Sequence, residues 1–167
     1  MKYTINKVLT EQECAEALEI CMKDGEKFYY TKEEANSWDC RRIYNQDFKN
    51  YILRKLEVIH DLDSLYIKDV IISLTRYYDS RRLDLHLDRN SNYTTVIPLT
   101  DNYTDGRFVL SEIHCPLPDA EVKVSLDKGE GITFEGNRIY HGVMPVHSGV
   151  RSALNIWVDG INKNKLL

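Results

Sequence analysis

The stretch Leu83-Asp84-Leu85-His86-Leu87-Asp88 alternates apolar and polar residues at every step. In an extended strand, residues two apart point to the same side. One face therefore carries the leucines, and the other carries Asp84, His86 and Asp88. An imidazole and a carboxylate side by side are placed to ligate one metal ion. H-x-D alone also fits a half-exposed strand with an incidental histidine, so the metal reading needs a third ligand. His141, within the strand pattern Ile139-Tyr140-His141-Gly142-Val143, supplies it. Two histidines and a carboxylate leave three positions of an octahedral iron(II) open to other ligands. Arg151 begins a further alternating run, in which Arg151, Ala153, Asn155 and Trp157 oppose Val150, Leu154, Ile156 and Val158. A guanidinium grips carboxylates through a paired, charge-assisted fork, so this face reads as the lining of an anion pocket. A turn at His147-Ser148-Gly149 is expected to make 138–146 and 150–158 a hairpin, holding Arg151 near His141.

These side chains need a scaffold, and the chain changes character near residue 65. Thr10 followed by Glu13 is a capping-box pattern. It introduces Cys14, Ala17, Leu18 and Cys21 at the i, i+3, i+4 and i+7 positions of one helical face, with Gly25 as the stop. A second helix is expected from Gln46 to His60, burying Phe48, Ile52, Leu56 and Ile59. Residues 26–45 read as a polar, aromatic loop with at most a short strand. Beyond them, period-two patterns predict strands at 66–78, 82–88, 93–99, 107–112, 121–126, 131–135, 138–146 and 150–158. Turns are expected at 101–102, 105–106, 116–118, 127–131 and 136–137. Helices followed by many short strands predict an α+β, mainly β chain: a jelly roll with N-terminal helices packed on one sheet. The expected division is one domain over 1–167, with a helical part about 1–64 and a jelly-roll core about 65–160.

The chain has 167 residues, 43% of them hydrophobic and 29% charged, as in an ordinary globular protein. Its net charge of −4 argues against nucleic acid as the main partner. No apolar run approaches the roughly 18–20 residues needed to cross a bilayer, and the first residues lack a secretory signal pattern. The four cysteines, Cys14, Cys21, Cys40 and Cys115, include no C-x-x-C pair. They read as buried, reduced thiols, giving a cytoplasmic expectation. Asn92-Tyr93-Thr94 and Asn102-Tyr103-Thr104 are then ordinary residues rather than glycosylation sites. Nothing in the chain specifies an oligomeric state.

Arg76-Tyr77 leading into His86-x-Asp88 resembles the iron(II)/2-oxoglutarate oxygenase superfamily, in particular its prolyl 4-hydroxylase-like branch. So do Thr94–Thr100 with Asp105-Gly106-Arg107-Phe108, the stretch Gly131–Phe134, and His141-x-Val143-x-Pro145-Val146-x-x-Gly149-x-Arg151 through Trp157. The likeness spans roughly residues 70–160. It implies a double-stranded β-helix, with iron held by His86, Asp88 and His141 and the co-substrate carboxylate held by Arg151. Tyr77 falls at a tyrosine that hydrogen-bonds 2-oxoglutarate, although a core tyrosine fits equally well. The implied chemistry is hydroxylation of an unactivated C–H bond with Fe(II), 2-oxoglutarate and O2, releasing succinate and CO2, with ascorbate as reductant. A prolyl, amino-acid or peptide substrate is implied, with a small metabolite or nucleobase as the alternative. Related halogenases place a small residue at the carboxylate position, so Asp88 favours hydroxylation. The chain departs from the pattern at Asp105 (for the first glycine of a pair), Leu83 (for a tyrosine), Ala153 (for a serine) and Pro98 (for a second co-substrate tyrosine).

Two other classes remain open on the residues alone. A non-enzymatic jelly-roll binding module explains the strands but not the triad. A zinc hydrolase uses the same ligands to activate water and consumes neither oxygen nor 2-oxoglutarate. Of the other histidines, His60 is expected at a helix end, His147 in a turn and His114 before Cys115. Arg41-Arg42 and Arg81-Arg82 read as solvated charge that borders an anionic substrate only as the less favoured alternative. Tyr29, Tyr30 and Trp38 are candidates for a substrate entrance.

Overall fold

The computed structural model describes residues 1–28, 39–59, 65–114 and 120–162. Tyr29, Tyr30, Trp38, His60, Cys115 and the 116–118 turn lie outside the described residues. Among the described residues the elements follow in the order β1 (Tyr3–Lys7), α1 (Glu11–Asp24), β2 (Glu26–Lys27), β3 (Asp39–Ile43), α2 (Gln46–Ile59), β4 (Leu65–Tyr77), β5 (Leu83–His86), β6 (Tyr93–Pro98), β7 (Tyr103–Asp105), β8 (Phe108–Ser111), β9 (Val122–Val124), β10 (Glu130–Phe134), β11 (Tyr140–Val143), β12 (Val146–Gly149) and β13 (Arg151–Asn162). Seven strands form one sheet in the order β1-β10-β6-β13-β4-β3-β2, and four form a second in the order β5-β11-β8-β9. β12 and β7 make a separate ribbon. This is the expected double-stranded β-helix with helices on one sheet.

Period-two alternation decides which residues face the site. On β4 and β13, Ile72, Leu74, Leu154, Ile156 and Val158 pack outward against Cys14, Ala17, Cys21, Phe48, Ile52 and Leu56 of the helices. Their neighbours Ile71, Thr75, Tyr77, Asn155 and Trp157 line the interior. A second cluster between the sheets includes Tyr77, Val96, Phe108, Leu110, Ile132, Phe134, Val143 and Ala153. α1 carries the expected capping box, with Thr10 accepting from the Glu13 amide and Glu13 accepting from the Thr10 amide. α2 starts where Asn45 Oδ1 accepts the Phe48 amide at 3.0 Å.

Several expectations need correction. The short strand allowed within 26–45 is present as β3, residues 39–43, but it is a full member of the large sheet, paired with β4. Residues 3–7 form β1, paired with β10. The supposed turn at 147–149 lies in β12, which pairs with β7. The expected hairpin of 138–146 with 150–158 does not form, because β11 belongs to the four-stranded sheet and β13 to the seven-stranded one. Pro145 follows β11 closely and has no N–H to extend a ladder.

Candidate metal and co-substrate site

β5 and β11 run antiparallel, with His86 directly opposite His141. Their ring centroids lie 4.3 Å apart. β5 ends at His86, so Asp88 lies on the turn that follows rather than on the strand itself. That turn is pinned by the Asp88 amide, which donates to Gly136 O at 2.9 Å, and by the Ser91 amide, which donates to Asp88 O at 3.0 Å. A side chain at position 136 would put its Cβ 2.1 Å from Thr94 Oγ1, so only glycine lets the two loops meet here. The expected all-apolar opposite face is also corrected. β5 is the edge of its sheet, and Leu83, Leu85 and Leu87 are only half-buried beside the open cleft.

His86, Asp88 and His141 could hold a metal ion, with one ligand atom from each lying within 4.8 Å of the others. His141 Nε2 is 3.1 Å from Asp88 Oδ2, and His86 Nε2 is 3.6 Å from Asp88 Oδ1. Each ring is oriented from behind. His86 Nδ1 lies 3.0 Å from Asp84 O, and His141 Nδ1 lies 3.0 Å from Ile139 O. A carbonyl only accepts, so each Nδ1 carries a proton, and each Nε2 is the nitrogen turned toward Asp88 that would ligate a metal. Phe134 packs edge-on against the His141 ring at 4.7 Å. Thr94 Oγ1 donates to Asp88 Oδ2 at 2.6 Å. Burial alone would push the Asp88 carboxyl up, but hydrogen bonds from His141, His86 and Thr94 hold it far below the carboxylate range. Burial likewise works against a charged His86, yet bonding to Asp88 raises it above 6.5.

Arg151 stands opposite Tyr77 across the β13–β4 ladder. Both are 2% exposed, and the guanidinium lies 5.8 Å from the Tyr77 ring centre. Arg151 Nε and Nη1 are buried without a hydrogen-bond partner. A buried cationic donor left unpaired is costly, so the site fits an incoming carboxylate. Burial pushes the Tyr77 hydroxyl well above its ordinary value, keeping it a neutral donor. Arg151 lines a cavity of about 490 Å³ with Pro98, Gly106 and Phe108. The triad and Tyr77 line a larger cleft of about 1260 Å³. Phe108 borders both. Asp105, standing for a glycine, takes a left-handed backbone (φ 64°) next to Gly106 (φ 66°). Its carboxylate reaches Arg107 and His147, each at 3.3 Å. His147 is thereby used structurally, and the His114 ring lies by Tyr140.

Sequence reasoning missed Thr94 and Gly136. Thr94 lies inside a strand pattern, and its contact with Asp88 depends on the fold bringing β6 under the turn. Gly136 had a signal, as part of a Gly-Asn turn, but none that tied it to the site.

A family profile described as the 2OG-Fe(II) oxygenase superfamily matches residues 72–159. That span contains the triad, Tyr77 and Arg151. A search of curated protein sequences finds no match. Among solved structures, a Pseudomonas putida prolyl-4-hydroxylase is similar with a TM-score of 0.69 and 16% identity, over 94% of this chain and 91% of that one. The viral collagen prolyl hydroxylase of Paramecium Bursaria Chlorella virus-1, in its 2OG complex, gives 0.63 and 15%, over 96% and 97%. A Trichoplax adhaerens prolyl hydroxylase, in complex with a hypoxia inducible factor peptide fragment, gives 0.68 and 16%, over 98% and 84%. At these identities the likeness establishes the fold.

Proposed function

The chain belongs to the 2OG-Fe(II) oxygenase superfamily, and from that premise we propose that it hydroxylates an unactivated C–H bond of a prolyl, amino-acid or peptide substrate. The observation that carries the reading is the cross-strand pair His86 and His141 with Asp88 between their inward-turned nitrogens. Fe(II) bound there, with 2-oxoglutarate and O2, supplies the oxidation that turns C–H into C–OH while 2-oxoglutarate leaves as succinate and CO2.

His86, Asp88 and His141 would hold the metal and leave it coordination positions for exogenous ligands. The backbone carbonyls of Asp84 and Ile139 keep both imidazoles in the ligating tautomer, and Thr94 fixes the carboxylate. Arg151 takes the distal carboxylate of 2-oxoglutarate, pairing the donors that otherwise stay unsatisfied. Tyr77, neutral and beside it, adds a hydroxyl donor. Phe108, Phe134 and Val143 keep the region apolar, which limits oxidation without substrate. The chain works as one oxygenase domain, its helices backing the sheet that carries Arg151. The similar solved structures include prolyl hydroxylases, one of them in complex with a peptide fragment, and this supports the prolyl or peptide choice. Among the described residues no helix is long and apolar enough to cross a membrane.

The deciding experiment is a succinate-release screen against peptides, amino acids and nucleosides, with Fe(II), 2-oxoglutarate and ascorbate supplied and products weighed by mass spectrometry. A product heavier by one oxygen from a peptide or amino acid is expected. Absence of 2-oxoglutarate consumption with every substrate would refute the proposal, and a product only from nucleosides would refute its substrate half.

A further inference from the structure

The cleft that holds the triad is also lined by four arginines: Arg42, Arg81, Arg82 and Arg89. Its only carboxylates among the described residues are Asp84 and Asp88. Asp88 is committed to the two histidines, and Asp84 lies 3.0 Å from Arg82. Among the described residues Arg42, Arg81 and Arg89 form no ion pair. Among the described residues, a chain of net charge −4 therefore gathers positive charge without matching carboxylates at the mouth of its reaction site.

Two of these cations are built in place rather than left loose. The Arg42 guanidinium carbon sits 4.1 Å from the Phe28 ring centre, and that of Arg81 sits 4.1 Å from the Tyr78 ring centre. Stacking on an aromatic face holds the guanidinium plane while leaving its in-plane N–H groups free for a planar oxyanion. Arg42 Nε is buried and has no hydrogen-bond partner, so an arriving acceptor relieves an existing cost. The sequence favoured solvated charge for both arginines, and the packing favours the alternative. The rest of the lining is partly apolar, with Ile71, Leu85, Val143 and Trp157.

We infer that the substrate is an acidic peptide, whose carboxylates dock on Arg42 and Arg81 while the C–H bond to be oxidised lies at the triad. The inference rests on the hydroxylase reading and narrows its substrate. The cleft volume of about 1260 Å³ exceeds the roughly 300–1000 Å³ of small-molecule pockets, which favours several residues over a single acid. β5, which ends at His86, is the outer strand of its sheet. Its outer edge, unpaired by any strand among the described residues, can align an extended chain by backbone hydrogen bonds.

The test is fluorescence anisotropy with labelled Glu-Glu-Pro-Glu-Glu and Gln-Gln-Pro-Gln-Gln peptides, using the chain with Mn(II) and 2-oxoglutarate. The acidic peptide is expected to bind at least about ten-fold more tightly, a preference that shrinks as salt rises. Arg42→Gln and Arg81→Gln are each expected to remove about ten-fold of that affinity, whereas Arg138→Gln, an exposed control paired with Glu135, leaves it unchanged. Arg81 follows a turn, so its variant tests the site even if Arg42→Gln disturbs β3. Equal binding of the two peptides, or a preference that survives both substitutions, overturns the inference, as does a single-stranded oligonucleotide that competes better than the acidic peptide. Binding needs no turnover, which separates the two readings. An intact acidic preference without succinate release from any substrate strikes at the hydroxylase reading. Succinate release with no acidic preference strikes at this one.

Discussion

The two sides of the seven-stranded sheet solve opposite problems. On the helix side the polar groups around Glu13 complete one another. Glu13 accepts from Thr10 at 2.8 Å, from Tyr51 at 2.7 Å and from Lys55. Lys55, then the Thr10 amide and Tyr51, bring its carboxyl from 4.5 down to about 2. Burial, followed by bonding to Glu13, pushes the Tyr51 hydroxyl up to about 12. On the inner side the groups are left incomplete: Arg151 lacks partners at two nitrogens, and Asp88 balances two imidazoles that suit a cation better. The difference separates a region that folding finishes from one that only ligands finish.

That contrast can be broken in order of effect. His141→Ala should weaken Mn(II) binding by more than about 100-fold in calorimetry, since removing a direct ligand exceeds the 10–100-fold cost of losing an outer-shell partner. Unchanged binding would remove the triad from the account. Arg151→Met should weaken 2-oxoglutarate binding by about 100-fold, as expected for a lost bidentate charge-assisted contact. The apo chain should at the same time melt no lower, because a buried unpaired cation has been replaced by an apolar side chain. A large drop in apo stability would show that Arg151 is already satisfied. Thr94→Val, which removes only the hydrogen bond to Asp88, should cost about ten-fold in Mn(II) affinity.

The smallest effect belongs to the completed side. Glu13→Gln, which keeps the capping box but removes the charge paired with Lys55, should lower stability by about 1 kcal/mol, as for loss of a partly exposed ion pair at a helix N-terminus, with metal and 2-oxoglutarate affinity unchanged. Because the folded carboxyl titrates near 2 and the unfolded one near 4.5, its contribution is fully present above about pH 4.5. It fades as pH falls toward 2. Denaturation of wild type and variant should therefore converge in acid, and a constant gap down to pH 2 would contradict the assignment.

Much of this was legible in the chain because local rules governed it. The capping box at Thr10 and Glu13 fixes a helix start without help from the rest of the fold. The alternation of β13 assigns Arg151 to the inside, whereas Tyr77 is singled out only by the resemblance. His86, Asp88 and His141 stood out because metal ligation demands those residue types. Other features depended on partners that spacing cannot reveal. β1 is mostly exposed at a sheet edge, so it shows no burial pattern. β3 is polar because its arginines serve the cleft and the neighbouring Asp39. Asp88 completes the site from a turn, which alternation alone misread as strand. The failed hairpin shows that two strands close in sequence need not share a sheet.

The ligating triad grows from the small sheet, and Arg151 from the large one. On the proposed reading a single dicarboxylate is gripped from both, as a tie rod joins two walls. Cellular supply of that metabolite would then govern not only how fast the enzyme turns over but how long each copy survives proteolysis.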